Sequence, residues 1–75
     1  MENKKRYVVT PVINYTTYAT KTFTSRPKAD SYVEKLLNKH NLSVDHIIER
    51  NRKHDIEYVC ENYGTRFFVN RVITK

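Results

Sequence analysis

Asp55, Glu57 and Glu61 lie at spacings that would set three carboxylates along one face of a strand. Such a row could hold a divalent ion for phosphodiester cleavage, but no lysine follows in the acid-x-Lys spacing that nucleases use. His40, His46, His54 and Cys60 could ligate zinc, yet none of the short paired spacings of structural zinc sites occurs among them. Cys60 as a nucleophile lacks a third orienting group and a glycine-rich oxyanion loop. The single glycine, Gly64, excludes a P-loop or a dinucleotide fold. These residues therefore predict a binding protein with no enzymatic activity, no cofactor, no metal and no small-molecule substrate.

The cations are the stronger signal. A formal net charge of +6 on 75 residues favours polyanionic partners, either nucleic acid or an acidic protein surface. Lys4, Lys5 and Arg6 form a basic N-terminal cluster that could reach phosphates as an arm. Lys28, Lys35 and Lys39 fall in one band of a helix, with Asp30 and Glu34 on its far side. Arg66 and Arg71 accompany Tyr58 and Phe68, a mixture suited to holding phosphates and stacking bases. The plainer alternative is that Asp55, Glu57 and Glu61 pair with Arg66 and its neighbours across a ladder, and that the lysines form a solvated face. About five phosphate contacts would give a log–log salt slope near −4 to −5.

The elements that must position these groups follow from periodicity. Arg6–Ile13 and Tyr18–Thr24 are β-branched and aromatic stretches separated by a polar break, and they predict an antiparallel hairpin. Pro11 cannot donate to a ladder, so the first strand should lie at an edge or bulge there. Ala29, Tyr32, Val33, Leu36, Leu37 and His40 recur at helical spacing after Ser25 and Pro27, which predicts a helix over 26–40 ended by a left-handed Asn41. Ser43, Asp45, Val44, Ile47 and Ile48 suggest a second, short helix over 43–52. Ile56–Glu61 and Thr65–Ile73 predict a closing hairpin turned at Gly64. The expected fold is α+β, in the order ββααββ, an antiparallel sheet of two hairpins with both helices on one face.

Both faces of the strands are apolar in places. If Tyr7, Val9 and Ile13 face the helix, then Val8 and Val12 point away, and Phe68 and Val72 do so on the last strand. Val8, Val12, Phe68 and Val72 are therefore the expected interface with a second copy or a partner protein, unless the short helix or the N-terminal arm covers them.

The chain has the length of one domain, 1–75, with residues 1–5 expected as a flexible arm. A lone cysteine, a start without a secretory hydrophobic core and the absence of a membrane-length apolar run point to a cytoplasmic protein. Abundant Lys, Asn, Ile and Tyr with scarce Gly, Ala and Pro match products of AT-rich genomes, such as those of low-GC bacteria and their phages. A regulator or accessory protein of that kind binds nucleic acid in the first reading and blocks or adapts a host protein in the second.

Thr22-Phe23-Thr24-Ser25-Arg26-Pro27-Lys28-Ala29-Asp30 resembles the strand-to-helix join of the small arm domains at the N-terminus of phage-type integrases. In that family the sheet face reads DNA, which the resemblance implies as an expectation for this chain. Three strands precede the helix there against the two expected here, and no functional residue is carried over.

Overall fold

The computed structural model describes residues 4–74, with side chains described from 5 to 73. Six strands, β1 (Lys4–Ile13), β2 (Thr16–Thr17), β3 (Lys21–Phe23), β4 (Val44–Arg50), β5 (Asp55–Cys60) and β6 (Arg66–Thr74), join one helix, α1 (Arg26–Lys39). They form one antiparallel sheet in the order β2-β1-β6-β5-β4, with β3 also on β1. The α+β class and the antiparallel sheet are as expected; the ββααββ order is not.

The sheet is built around its two longest strands. β1 and β6 pair continuously from Lys4↔Thr74 to Val12↔Arg66, so the two ends of the described chain meet in the middle of the sheet. Of the arm expected over 1–5, Lys4 and Lys5 belong to this ladder, and residues 1–3 lie outside the described residues. The first hairpin turns at Asn14-Tyr15, both with positive φ (51° and 65°), between Ile13 and Thr16. Two left-handed residues make the tight turn whose twist matches that of the strands it joins.

Pro11 does not stand on an edge strand; it sits in β1 with β6 on one side. The Tyr18 amide donates to the Pro11 carbonyl at 2.9 Å, so the missing N–H of Pro11 faces the β2–β3 side. On that side pairing lapses between Val12↔Thr17 and Val9↔Lys21, three residues lying opposite two. The bulge expected of a proline is what divides β2 from β3.

Helix α1 follows its apolar periodicity, with Ser25 extended at the N-cap and Pro27 in the first turn. Its end is a Schellman motif: the Leu42 amide donates to Leu37 O at 2.8 Å, the Asn41 amide to Asn38 O at 3.3 Å, and Asn41 has a φ of 57°. Leu37 and Leu42, the positions of the motif's usual hydrophobic pair, both pack on the core. The helix carries the chain from one edge of the sheet to the other, packing on β1, β3 and β6.

Val9, Val69 and Phe67 are fully enclosed beneath Ala29 and Val33, with Ile56 and Cys60 beside them. Each large side chain of this kind stabilises the fold by about 1.5–3 kcal/mol relative to exposure.

The second helix expected over 43–52 is a strand. Val44, Ile47 and Ile48 satisfy helical spacing, but β-branched residues in so short a segment serve a strand as well. Tertiary pairing decides: β4 runs from Val44↔Cys60 to Arg50↔Asp55, with a bulge between Val44 and His46. Ser43, instead of capping a helix, gives its carbonyl to the Glu61 amide at 2.9 Å. Asn51, Arg52 and Lys53 reverse the chain with φ of 50°, 54° and 69°. The Lys53 carbonyl accepts from Arg26 Nη1 at 3.4 Å, and the Asn51 carbonyl from the His54 amide at 3.0 Å.

Candidate nucleic-acid interface

Strand register assigns every side chain to a face, because directly opposed residues in an antiparallel pair point the same way. Val9, Val69 and Ile56 form one row under the helix. The alternate residues therefore form the other face, where three rows cross the sheet: Val8, Asn70, Asp55 and Arg50; Thr10, Phe68, Glu57 and Ile48; and Val12, Arg66, Val59 and His46. Arg6 and Val72 extend this face at one end. No described helix lies on it, since α1 occupies the opposite side and β4 is itself part of the sheet.

At the centre of this bare face is a buried charge. Glu57 is 3% exposed, and its two oxygens accept from Arg50 Nη1 at 3.0 Å and Arg66 Nη1 at 2.9 Å. The arginines reach in from the strands on either side, and each remains more than half exposed. One carboxylate is thus shared by two guanidiniums, with Asp55 opposite Arg50 as a second negative charge on the same face and Phe68 as the cross-strand neighbour of Glu57. Asn70 Nδ2 donates across the ladder to Asp55 at 3.2 Å.

The predicted residues divide between surfaces. Arg6, Arg66 and Phe68 share the bare face, and so do Val8, Val12 and Val72, of which Val72 is 42% exposed. The Arg66–Glu57 pair is the cross-ladder contact weighed in the sequence. Lys5 and Arg71 point to the opposite side of the sheet, and the side chain of Lys4 lies outside the described ones. Lys28, Lys35 and Lys39 are exposed on the helix, with Lys21 beside the first two around a shallow depression that includes Tyr32. One ligand cannot touch all the predicted cations at once. Tyr58 is on the helix side, where its hydroxyl donates to Asp30 at 3.1 Å, and it shares no surface with Phe68. Burial, the largest cause, and the Asp30 carboxylate raise its pKa, against the lowering effect of Arg26.

No family model, curated protein or solved structure matches the chain.

Arg50 is the residue that sequence reasoning missed: it is not among the predicted cations, and as the last residue of β4 it becomes the second ligand of Glu57. Among the described residues no group of three or more His, Cys, Asp or Glu side chains is placed to hold a metal ion, and no helix is long and apolar enough to cross a membrane. Three described strands, β1, β2 and β3, precede α1 where two were expected, and no match ties the chain to the integrase arm domains that residues 22–30 resemble.

Proposed function

We propose that the chain is a non-enzymatic nucleic-acid-binding protein that holds a single strand across its bare sheet face. One observation supports this above others: Phe68 lies half-buried on the central strand as the cross-strand neighbour of Glu57, whose carboxylate pairs with Arg66 on the strand of Phe68 and with Arg50 on β4. Single-stranded nucleic acid needs such a pairing of an aromatic surface for a base with cations for the flanking phosphates. The reading goes with a cytoplasmic regulator or accessory protein, as does the thiol of Cys60, buried and pushed up in pKa by that burial.

Fluorescence anisotropy with labelled single-stranded DNA and RNA against the matching duplex tests the proposal. With Arg6, Arg50 and Arg66 as the phosphate ligands, single-strand affinity should fall with salt at a slope of about −2, shallower than the sequence alone suggested. Phe68→Ala should weaken binding about 5- to 150-fold. Failure to bind any single strand at low salt, or equal binding by Phe68→Ala, would reject the reading.

A second reading, a homodimer or an acidic protein partner docked on the same face, is favoured by the grouping of Val8, Val12, Phe68 and Val72 there. Self-packing would bring Arg6, Arg50 and Arg66 of two copies together, an electrostatic cost that a polyanion avoids. Sedimentation velocity distinguishes the two: a dimer dissociated by Phe68→Glu supports the second reading, and a monomer at all concentrations removes the homodimer.

A further inference from the structure

The bare face does not end at its arginines. Beyond Val12, Val59 and Arg66 the sheet opens into a half-open cleft of about 550 Å³, closed by the two turns that carry Tyr15 and Tyr63. Its volume is in the range of small-ligand sites, roughly 300–1,000 Å³.

The aromatic pair at its mouth is unusual in being both exposed and held in place. Tyr15 and Tyr63 meet edge to face, with centroids 5.7 Å apart and planes at 67°, while remaining 69% and 87% exposed. Tyr15 has a left-handed backbone, which costs a non-glycine residue about 1–2 kcal/mol. Two hydrogen bonds stitch the turns together: the Tyr15 amide to Gly64 O at 2.9 Å, and the Asn14 amide to the buried Thr65 hydroxyl at 3.2 Å. A platform fixed in advance loses little freedom when a planar group stacks on it.

The polar lining carries two carboxylates, Glu61 and Asp45, beside Asn62, with Arg66 at the edge it shares with the centre of the face; Asp45 also meets His46 Nδ1 at 2.8 Å on the same strand. Among the described residues the Glu61 carboxylate has no hydrogen-bond donor. Ionised carboxylates only accept, so this wall repels phosphates and carbonyl edges and suits amino groups. Gly64 and Phe68 are separated by four steps of strand, roughly 13 Å, so one short strand can reach both places.

We propose that this cleft is a base-selective subsite, in which a nucleobase stacks on Tyr63 and donates its exocyclic amine to Glu61. Cytosine and adenine present such an amine where thymine and uracil present a carbonyl oxygen. The inference rests on the single-strand reading above and gives it a base preference.

Binding of oligo(dC), oligo(dA) and oligo(dT) hexamers to the intact chain, compared by anisotropy, tests it. The wild type should prefer the dC and dA hexamers over dT by about tenfold. Glu61→Gln should collapse that ratio toward one without weakening dT, and Tyr63→Ala should weaken dC hexamers while leaving dT almost unchanged. Both side chains are exposed, and far-UV circular dichroism verifies that each variant is folded. Equal affinities for the three hexamers, or a preference that survives both variants, overturns the subsite and leaves the parent reading standing. Absence of binding to all three, and to the single-stranded RNA of the parent test, overturns both.

Discussion

The ring of Tyr15 occupies the space that a side chain on Gly64 would need. A Cβ at position 64 would lie 2.7 Å from Tyr15 Cε2 and 2.8 Å from Cδ2, and Gly64 has a φ of 82°. The only glycine of the chain thus meets two separate demands, a left-handed backbone and a neighbour's ring where its Cβ would be.

Gly64→Ala should accordingly destabilise the fold by about 1–2 kcal/mol from backbone conformation alone, with a further penalty for the displaced ring. Thermal melts would register a fall of about 4–8 °C per kcal/mol in a domain of this size. Adding Tyr15→Ala should return the steric part and leave the conformational part. A wild-type melting temperature for Gly64→Ala would contradict the positive φ.

Glu57→Gln keeps the shape of the buried side chain and removes its charge. Two charge-assisted hydrogen bonds weaken together, and the expected loss is about 1–3 kcal/mol, held down because both arginines can turn to water. Urea denaturation should show a lower midpoint at unchanged slope. If stability is unaltered, the two guanidiniums do not depend on this carboxylate.

Tyr58 makes stability fall at alkaline pH. Its folded pKa is raised, chiefly by burial, above the unfolded value of about 10, so its contribution is fully present below pH 10 and is lost as pH rises through the folded pKa. The difference in unfolding free energy between wild type and Tyr58→Phe, followed from pH 8 to 11, should be constant below about 10 and shift against the wild type above it. A difference that stays flat across the range would contradict the raised pKa.

At the helix C-terminus, Asn41 pays for its left-handed conformation with little side-chain contact. Asn41→Gly should be neutral or stabilising by up to about 1 kcal/mol, and Asn41→Ala destabilising by about 1 kcal/mol, as read by thermal melts. The reverse order would exclude the Schellman geometry.

How far the fold could be read depended on how long each pattern ran. From Ala29 to Leu37 the apolar spacing spans more than two turns, too regular for a strand, and the helix was legible together with its Asn41 terminus. Val44, Ile47 and Ile48 fit one turn of helix or half a strand equally, and what separates the two is pairing with β5, which local sequence does not contain. The same long-range term hid the site. Arg66 and Phe68 were visible as a basic-aromatic pair, but Arg50 joins them only once β4 is laid beside β5. Tyr58 looked like their companion because parity along one strand does not reveal which face the helix will cover.

Because α1 packs on β1, β3 and β6 and reaches β5 only through side chains, the edge strand β4 extends past its cover, with Ile47 53% exposed. Local opening is cheapest where fewest apolar contacts are lost. Backbone amides of β4 should therefore exchange with deuterium through a partial opening that leaves the β1–β6 ladder intact, and those of Val9 and Val69 only when the whole chain unfolds. The outer strand is therefore the part expected to open first, and it carries Arg50 away from Glu57.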